Sequence, residues 1–176
     1  MRALLSLGPV LAAVLCLSGC NTVSDLVVSN IPDYREGKTS IVIRLREQAA
    51  YLYKGKSQVA ASRISTGREG HDTPIGHFRV MRKDRDHRSG LYGYYANEFG
   101  YAVKENVDVR KDRKPPHSHF VGASMPCFLE FSPGYGLHAG YLPGFPASHG
   151  CVRMPYWKAR QFFKQAKVGT PVLVKP

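Results

Sequence analysis

Between Ser40 and the end of the chain, one segment carries a helical period: Pro155 to Ala166. Tyr156, Ala159, Phe163 and Ala166 fall on one face there, with Phe162 alongside, while Lys158, Arg160 and Lys164 point away. Pro155 suits the first turn of that helix, and Gly169 stops it. The rest reads as short apolar runs broken by glycine and proline, of which the sequence holds 17 and 12. Runs of that length build strands. The expected fold class is mainly β, with one late helix.

Ile41, Ile43 and Leu45 alternate with Val42, Arg44 and Arg46, the pattern of a half-buried strand. Ala50-Tyr51-Leu52-Tyr53 and Gln58-Val59-Ala60-Ala61-Ser62 flank Lys54-Gly55-Lys56 and read as a hairpin. Phe78-Arg79-Val80, Cys127 to Phe131 and Pro171 to Val174 are further strands. The glycine-containing stretch from Ile64 to Gly76 is not a phosphate-cradling loop, because it lacks the GxxxxGK[ST] pattern and no helix follows. Residues from about Lys83 to Met125 form a long polar and aromatic excursion carrying Tyr92, Tyr94 and Tyr95. Its length predicts a lid-like insertion or substrate wall.

The first 19 residues have one positive charge, then an apolar run ending in small residues, as in a secretory signal peptide. Leu17-Ser18-Gly19-Cys20 resembles the bacterial lipobox, which implies cleavage before Cys20 and lipidation of that cysteine. Asn21 in place of Asp favours the outer membrane by the same resemblance if the source is Gram-negative. Residues 20–39 read as a tether and residues 40–176 as the folded domain. The expected location is the cell envelope, lipid-anchored and facing the periplasm.

A formal net charge of +12 favours anionic partners: nucleic acid, acidic lipid or an acidic cell-wall polymer. The basic residues are scattered apart from the mixed run Val107 to Lys114, which reads as a solvated loop, so nucleic acid is not expected. Cysteines stand at positions 16, 20, 127 and 151 without metal-finger spacing. His117 and His119 form a His-x-His with no obvious third ligand, so neither a metal nor another cofactor is expected.

Chemistry concentrates in Ser148-His149-Gly150-Cys151-Val152-Arg153-Met154, with Gly136-Leu137-His138-Ala139-Gly140 upstream. A cysteine near neutral pH needs a base to become a thiolate, and an imidazole in reach supplies one. This pair of segments resembles the signature of the YkuD-type L,D-transpeptidases, bacterial enzymes that remodel peptidoglycan. Ser65-Thr66-Gly67 and Thr73-Pro74-Ile75-Gly76-His77-Phe78 are similar to a second stretch of that family. The resemblance covers nearly all of residues 40–176 and implies a β-sandwich-like catalytic domain. Arg153 stands where many members have Asn, and no separate peptidoglycan-binding module is seen, so the anchor and tether would localise the domain.

The resemblance also implies the roles. Cys151 is the nucleophile, attacking the amide between the third and fourth residues of a donor stem peptide. His138 is the general base and then acid, its ring oriented by the main-chain carbonyl of Ala139. The N–H groups of Gly150 and Cys151 are the natural oxyanion donors, with Ser148 and His149 supporting, and Arg153 is a candidate for a stem-peptide carboxylate. The product is a cross-link between third-position residues. Water or a protein lysine as acceptor would instead make a carboxypeptidase, hydrolase or attachment enzyme. A non-catalytic wall-binding lipoprotein and a zinc hydrolase using His138, His149 and Cys151 are the readings from other classes. Cys127 reads as a small buried hydrophobe on a strand, or as a disulfide partner that would block Cys151.

Overall fold

The computed structural model describes residues 37–176; the leader, Cys20 and the tether as far as residue 36 lie outside them. In chain order the strands are β1 (Thr39–Arg44), β2 (Ala49–Lys54), β3 (Ser57–Arg63), β4 (Gly76–Arg79), β5 (Arg82–Asp84) and β6 (Arg88–Asn97). There follow β7 (Ala102–Asp108), β8 (Ser118–Ser124), β9 (Phe128–Ser132), β10 (Tyr135–Ala139) and β11 (Val152–Met154). The helix α1 (Tyr156–Gln165) and β12 (Pro171–Lys175) complete the chain.

One sheet has the order β3-β2-β1-β12-β4 and a second the order β11-β10-β9-β5. Their inward residues form one core: Ile41, Ile43, Leu52, Val172 and Val174 from the first, Leu129, Phe131, Leu137, Val152 and Met154 from the second. This is the expected mainly β, sandwich-like arrangement. β1 pairs with β12 in parallel, so the two ends of the domain close the same sheet.

Two expectations change. Val42 is completely buried rather than facing water. β1 lies inside its sheet, and Tyr53, Leu173 and Tyr51 cover its second face as a smaller cluster. On α1 the buried stripe is Ala159, Phe162 and the following Ala166, with Phe163 partly buried; Tyr156 is 57% exposed. Phe162 sits at three- and four-residue spacings from Ala159 and Ala166 and so centres that face, while Tyr156 opens the first turn and stays outside. The long excursion, expected as a lid-like insertion or substrate wall, is ordered. It folds into a third sheet of order β7-β6-β8, with β6 hydrogen-bonded along both edges. The hairpin around Gly55 and the strands at both ends of the domain are where the pattern placed them.

Candidate active site

β10 and β11 run in parallel with Leu137 opposite Val152 and His138 opposite Arg153. Leu137 and Val152 enter the core, so alternation puts His138 and Arg153 on the other face, and Cys151, two residues before Arg153, joins them. The two segments singled out in the sequence are thus neighbours in one sheet.

His138 is 5% exposed, and its Nδ1 lies 2.8 Å from the carbonyl oxygen of Ala139. A carbonyl only accepts, so Nδ1 carries the hydrogen and Nε2 keeps its lone pair. Burial lowers the imidazole pKa to about 4; the Ala139 bond opposes this, and the charges of Arg153 and His87 add to it. The ring is therefore neutral at pH 7, the form that accepts a proton. The Cys151 thiol is pushed up by burial, with the Gly136 N–H bond and the charge of Arg153 acting the other way. Its Sγ lies 3.5 Å from the Gly134 carbonyl oxygen. The thiol and the imidazole are thus both in their neutral forms at pH 7.

The loop that carries Cys151 is braced from within and from outside. The Ser148 hydroxyl donates to the Cys151 carbonyl at 2.5 Å and accepts the Gly150 N–H at 2.9 Å. The Gly150 N–H, expected as an oxyanion donor, is thus engaged inside the loop; a buried N–H takes whatever acceptor the turn brings to it. Gly150 has a φ of +113°, and a Cβ there would lie 2.4 Å from a ring carbon of Tyr135. Only glycine fits.

From outside, Ser65 pairs with Arg153 in an antiparallel bridge and Gly67 with Ser148 in a parallel one. The Thr73 hydroxyl accepts the Gly67 N–H at 3.0 Å and donates to the Gly150 carbonyl at 2.8 Å. Gln48 holds Thr66 from behind, its Nε2 donating to Oγ1 at 2.7 Å and its Oε1 accepting the Thr66 N–H at 3.0 Å. The Ser-Thr-Gly and Thr-Pro stretches are therefore the scaffold of the loop that carries Cys151. The sequence reading assigned no job to Thr73, and Gln48 had no signal at all, since Thr66 is 18 residues away.

Arg153 lays its aliphatic stem along Gly140, where a Cβ would come within 3.1 Å of it. Burial lowers its guanidinium pKa, and the charges acting on it are those of Cys151 and Arg68. Arg68 reaches the Ser148 carbonyl at 3.3 Å. His149 does not point to Cys151 as a hydrogen-bond partner would; its ring stacks on Tyr92 and meets the edge of His71. Burial first, then Arg68, His71 and Arg153, lower its pKa, although its outer edge stays in water, which screens those charges. Tyr92 was legible only as part of an aromatic excursion.

Cys127 is buried in the main core, while Cys151 lies on the opposite face of the sheet, and both are free thiols. Among the described residues, no group of three or more His, Cys, Asp or Glu side chains is arranged to hold a metal ion, so His138, His149 and Cys151 do not form one. His117 and His119 are both exposed. Cys20 lies outside the described residues.

The YkuD family, the L,D-transpeptidase catalytic domain, matches residues 38–174. No curated protein matches the sequence at a level that would establish a relationship. Among solved structures, an L,D-transpeptidase (Yku) from Stackebrandtia nassauensis superposes with a TM-score of 0.60 at 16% identity, covering 84% of this chain and 60% of that one. The L,D-transpeptidase from Mycobacterium smegmatis gives 0.59 at 15%, covering 79% and 59%. The LD transpeptidase LdtMt1 in complex with imipenem gives 0.58 at 16%, covering 78% and 58%. At such identities the likeness is one of fold, and this chain spans about three fifths of each of those chains.

Proposed function

Because the chain belongs to the YkuD family of L,D-transpeptidase catalytic domains, we propose that it joins peptidoglycan stem peptides through a thioester on Cys151. The observation that carries this reading is the Nδ1 bond of His138 to the Ala139 carbonyl, which leaves Nε2 as the free acceptor on a strand paired with β11, the strand that Cys151 immediately precedes.

The Cys151 sulfur attacks the carbonyl carbon of the amide between the third and fourth stem residues as His138 Nε2 takes the thiol proton. The oxyanion is met by the Cys151 N–H, since the Gly150 N–H is engaged with Ser148. Collapse breaks the carbon–nitrogen bond, and His138 delivers its proton to the departing D-alanine amine. An amine of a second stem then attacks the thioester, His138 accepts its proton, and the thiol is restored. The product is an amide between third-position residues. The Arg153 guanidinium, half-buried beside Cys151 with Arg68 as its like-charged neighbour, supports binding of a stem carboxylate. Lipidation of Cys20 would hold the domain at the envelope, facing the periplasm.

The test is intact mass after incubation of the soluble domain with imipenem, the ligand of LdtMt1 in its complex. One covalent adduct is expected, absent in Cys151→Ala and formed ~100- to 10,000-fold more slowly in His138→Ala. An adduct that survives Cys151→Ala, or none with imipenem or stem tetrapeptides, overturns the assignment. Product analysis with purified tetrapeptides separates cross-linking from hydrolysis.

A further inference from the structure

The ring of Tyr92 lies flat on that of His149, with centroids 4.0 Å apart and planes 20° from parallel. His71 closes on His149 edge-first at 4.8 Å and 80°. Tyr92 belongs to β6 in the inserted sheet, and His149 stands two residues before Cys151, so this ring pair joins the insertion to the nucleophile loop.

Tyr92 is itself held. Arg110 donates from Nη2 to the Tyr92 hydroxyl at 2.7 Å, and its guanidinium carbon stands 5.5 Å from the ring centroid. Asp108 fixes Arg110 by accepting from Nε at 2.9 Å and from Nη2 at 2.7 Å. The Asp108 N–H in turn donates to Asp112, which pairs with Lys104 at 2.7 Å. An exposed chain of charges of this kind stabilises little on its own. Its effect is geometric: it leaves the Tyr92 ring one orientation. Without that ring, an imidazole at the surface next to a left-handed glycine has several rotamers open to it.

We infer that Tyr92, locked by Arg110 and Asp108, is a positioning residue for acyl transfer: it immobilises His149 and the Cys151 loop, making the inserted sheet a fixed wall of the donor cleft. The inference rests on Cys151 being the nucleophile. The charged and titratable groups that act on His149 are Arg68, His71, Arg153 and Asp108, and Tyr92 shields one face of its ring from water.

The experiment compares wild type, Tyr92→Phe, Tyr92→Leu and Arg110→Met. Imipenem acylation is followed over a range of concentrations, and the His149 imidazole is titrated by NMR. Tyr92→Phe keeps the stack and acylates within roughly twofold of wild type; Tyr92→Leu lowers the limiting acylation rate roughly three- to tenfold, the size expected for one aromatic pair. The half-saturating concentration changes little, and the His149 pKa rises in Tyr92→Leu but not in Tyr92→Phe. Arg110→Met falls between the two, and because it leaves the aromatic ring on β6 it keeps the test valid if Tyr92→Leu disturbs the sheet. Acylation by Tyr92→Leu at the wild-type rate with an unmoved His149 pKa overturns the inference. So does equal impairment of Tyr92→Phe and Tyr92→Leu. A wild-type protein that is never acylated overturns the nucleophile reading and the positioning role with it, which separates the two failures.

Discussion

Thr73 and Gly150, 77 residues apart in the chain, are joined by a 2.8 Å hydrogen bond from the threonine hydroxyl to the glycine carbonyl. The same hydroxyl accepts the Gly67 N–H, so one buried side chain ties the Ser-Thr-Gly stretch to the loop that presents Cys151. Thr73→Val keeps the shape and removes both bonds, leaving a buried N–H and carbonyl unpaired. A loss of ~1–3 kcal/mol in urea unfolding is expected, together with slower imipenem acylation. Thr73→Ser keeps the hydroxyl and should recover most of both. Wild-type stability in Thr73→Val would remove Thr73 from the scaffold.

Gly150 and Gly144 both adopt positive φ, at +113° and +99°, but their surroundings differ. A Cβ at Gly150 collides with Tyr135, whereas one at Gly144 meets nothing within 4 Å. Gly144→Ala is therefore expected to cost ~1–3 kcal/mol of backbone strain and keep its acylation rate. Gly150→Ala adds the displacement of Tyr135 and of the loop, and its adduct should be lost from the intact-mass spectrum.

The neutral His138 sets the pH response. Protonation removes the lone pair, so the acylation rate should fall as pH drops through about 4, stay level above it, and rise again only where the raised Cys151 thiol ionises. Stability follows the same sign. The unfolded histidine takes a proton near its ordinary 6.5 while the folded one resists to about 4, so stability present above pH 6.5 is lost as pH falls through that window. The loss is on the order of 3 kcal/mol. Chemical unfolding at pH 7.5 and 4.5 checks this, and His138→Phe should reduce the difference, leaving the part of the same sign that the lowered His149 contributes. An acylation profile already falling at pH 6.5 would place the proton acceptor elsewhere.

Cys127 sits in the core on the far side of the sheet from Cys151, and burial raises its thiol pKa. Cys127→Ala should acylate at the wild-type rate and lose ~1–2 kcal/mol to the smaller side chain. Mild oxidation of wild type should leave no intramolecular disulfide on a non-reducing peptide map. A Cys127–Cys151 bridge on that map would mean that the sheet opens.

Much of the fold was legible because its signals are local. The hairpin at Gly55, the helix after Pro155 and the closing strand each follow from a few adjacent residues, and the cysteine and histidine segments declare their chemistry by type. What failed was also local in cause. Val42 alternates like a surface residue, but cover from Tyr51 and Tyr53 on β2 buries it. Tyr156 has the helical spacing of a core residue and lies at the end of the helix where nothing covers it.

The sequence by itself determined the mainly β class and the one helix of residues 37–176, since backbone period is carried by the residues themselves, and by resemblance it offered Cys151 and His138 as the proposed reactive pair. Only the tertiary structure decided how these side chains are placed and held. The parallel register puts His138 and Cys151 on one face, Thr73 and Gln48 brace the loop from distant positions, the Gly150 N–H turns to Ser148, and Tyr92 lies on His149. Hydrogen bonds and ring contacts depend on separation in space, and no period in the chain encodes a meeting between residues 57 or 77 positions apart.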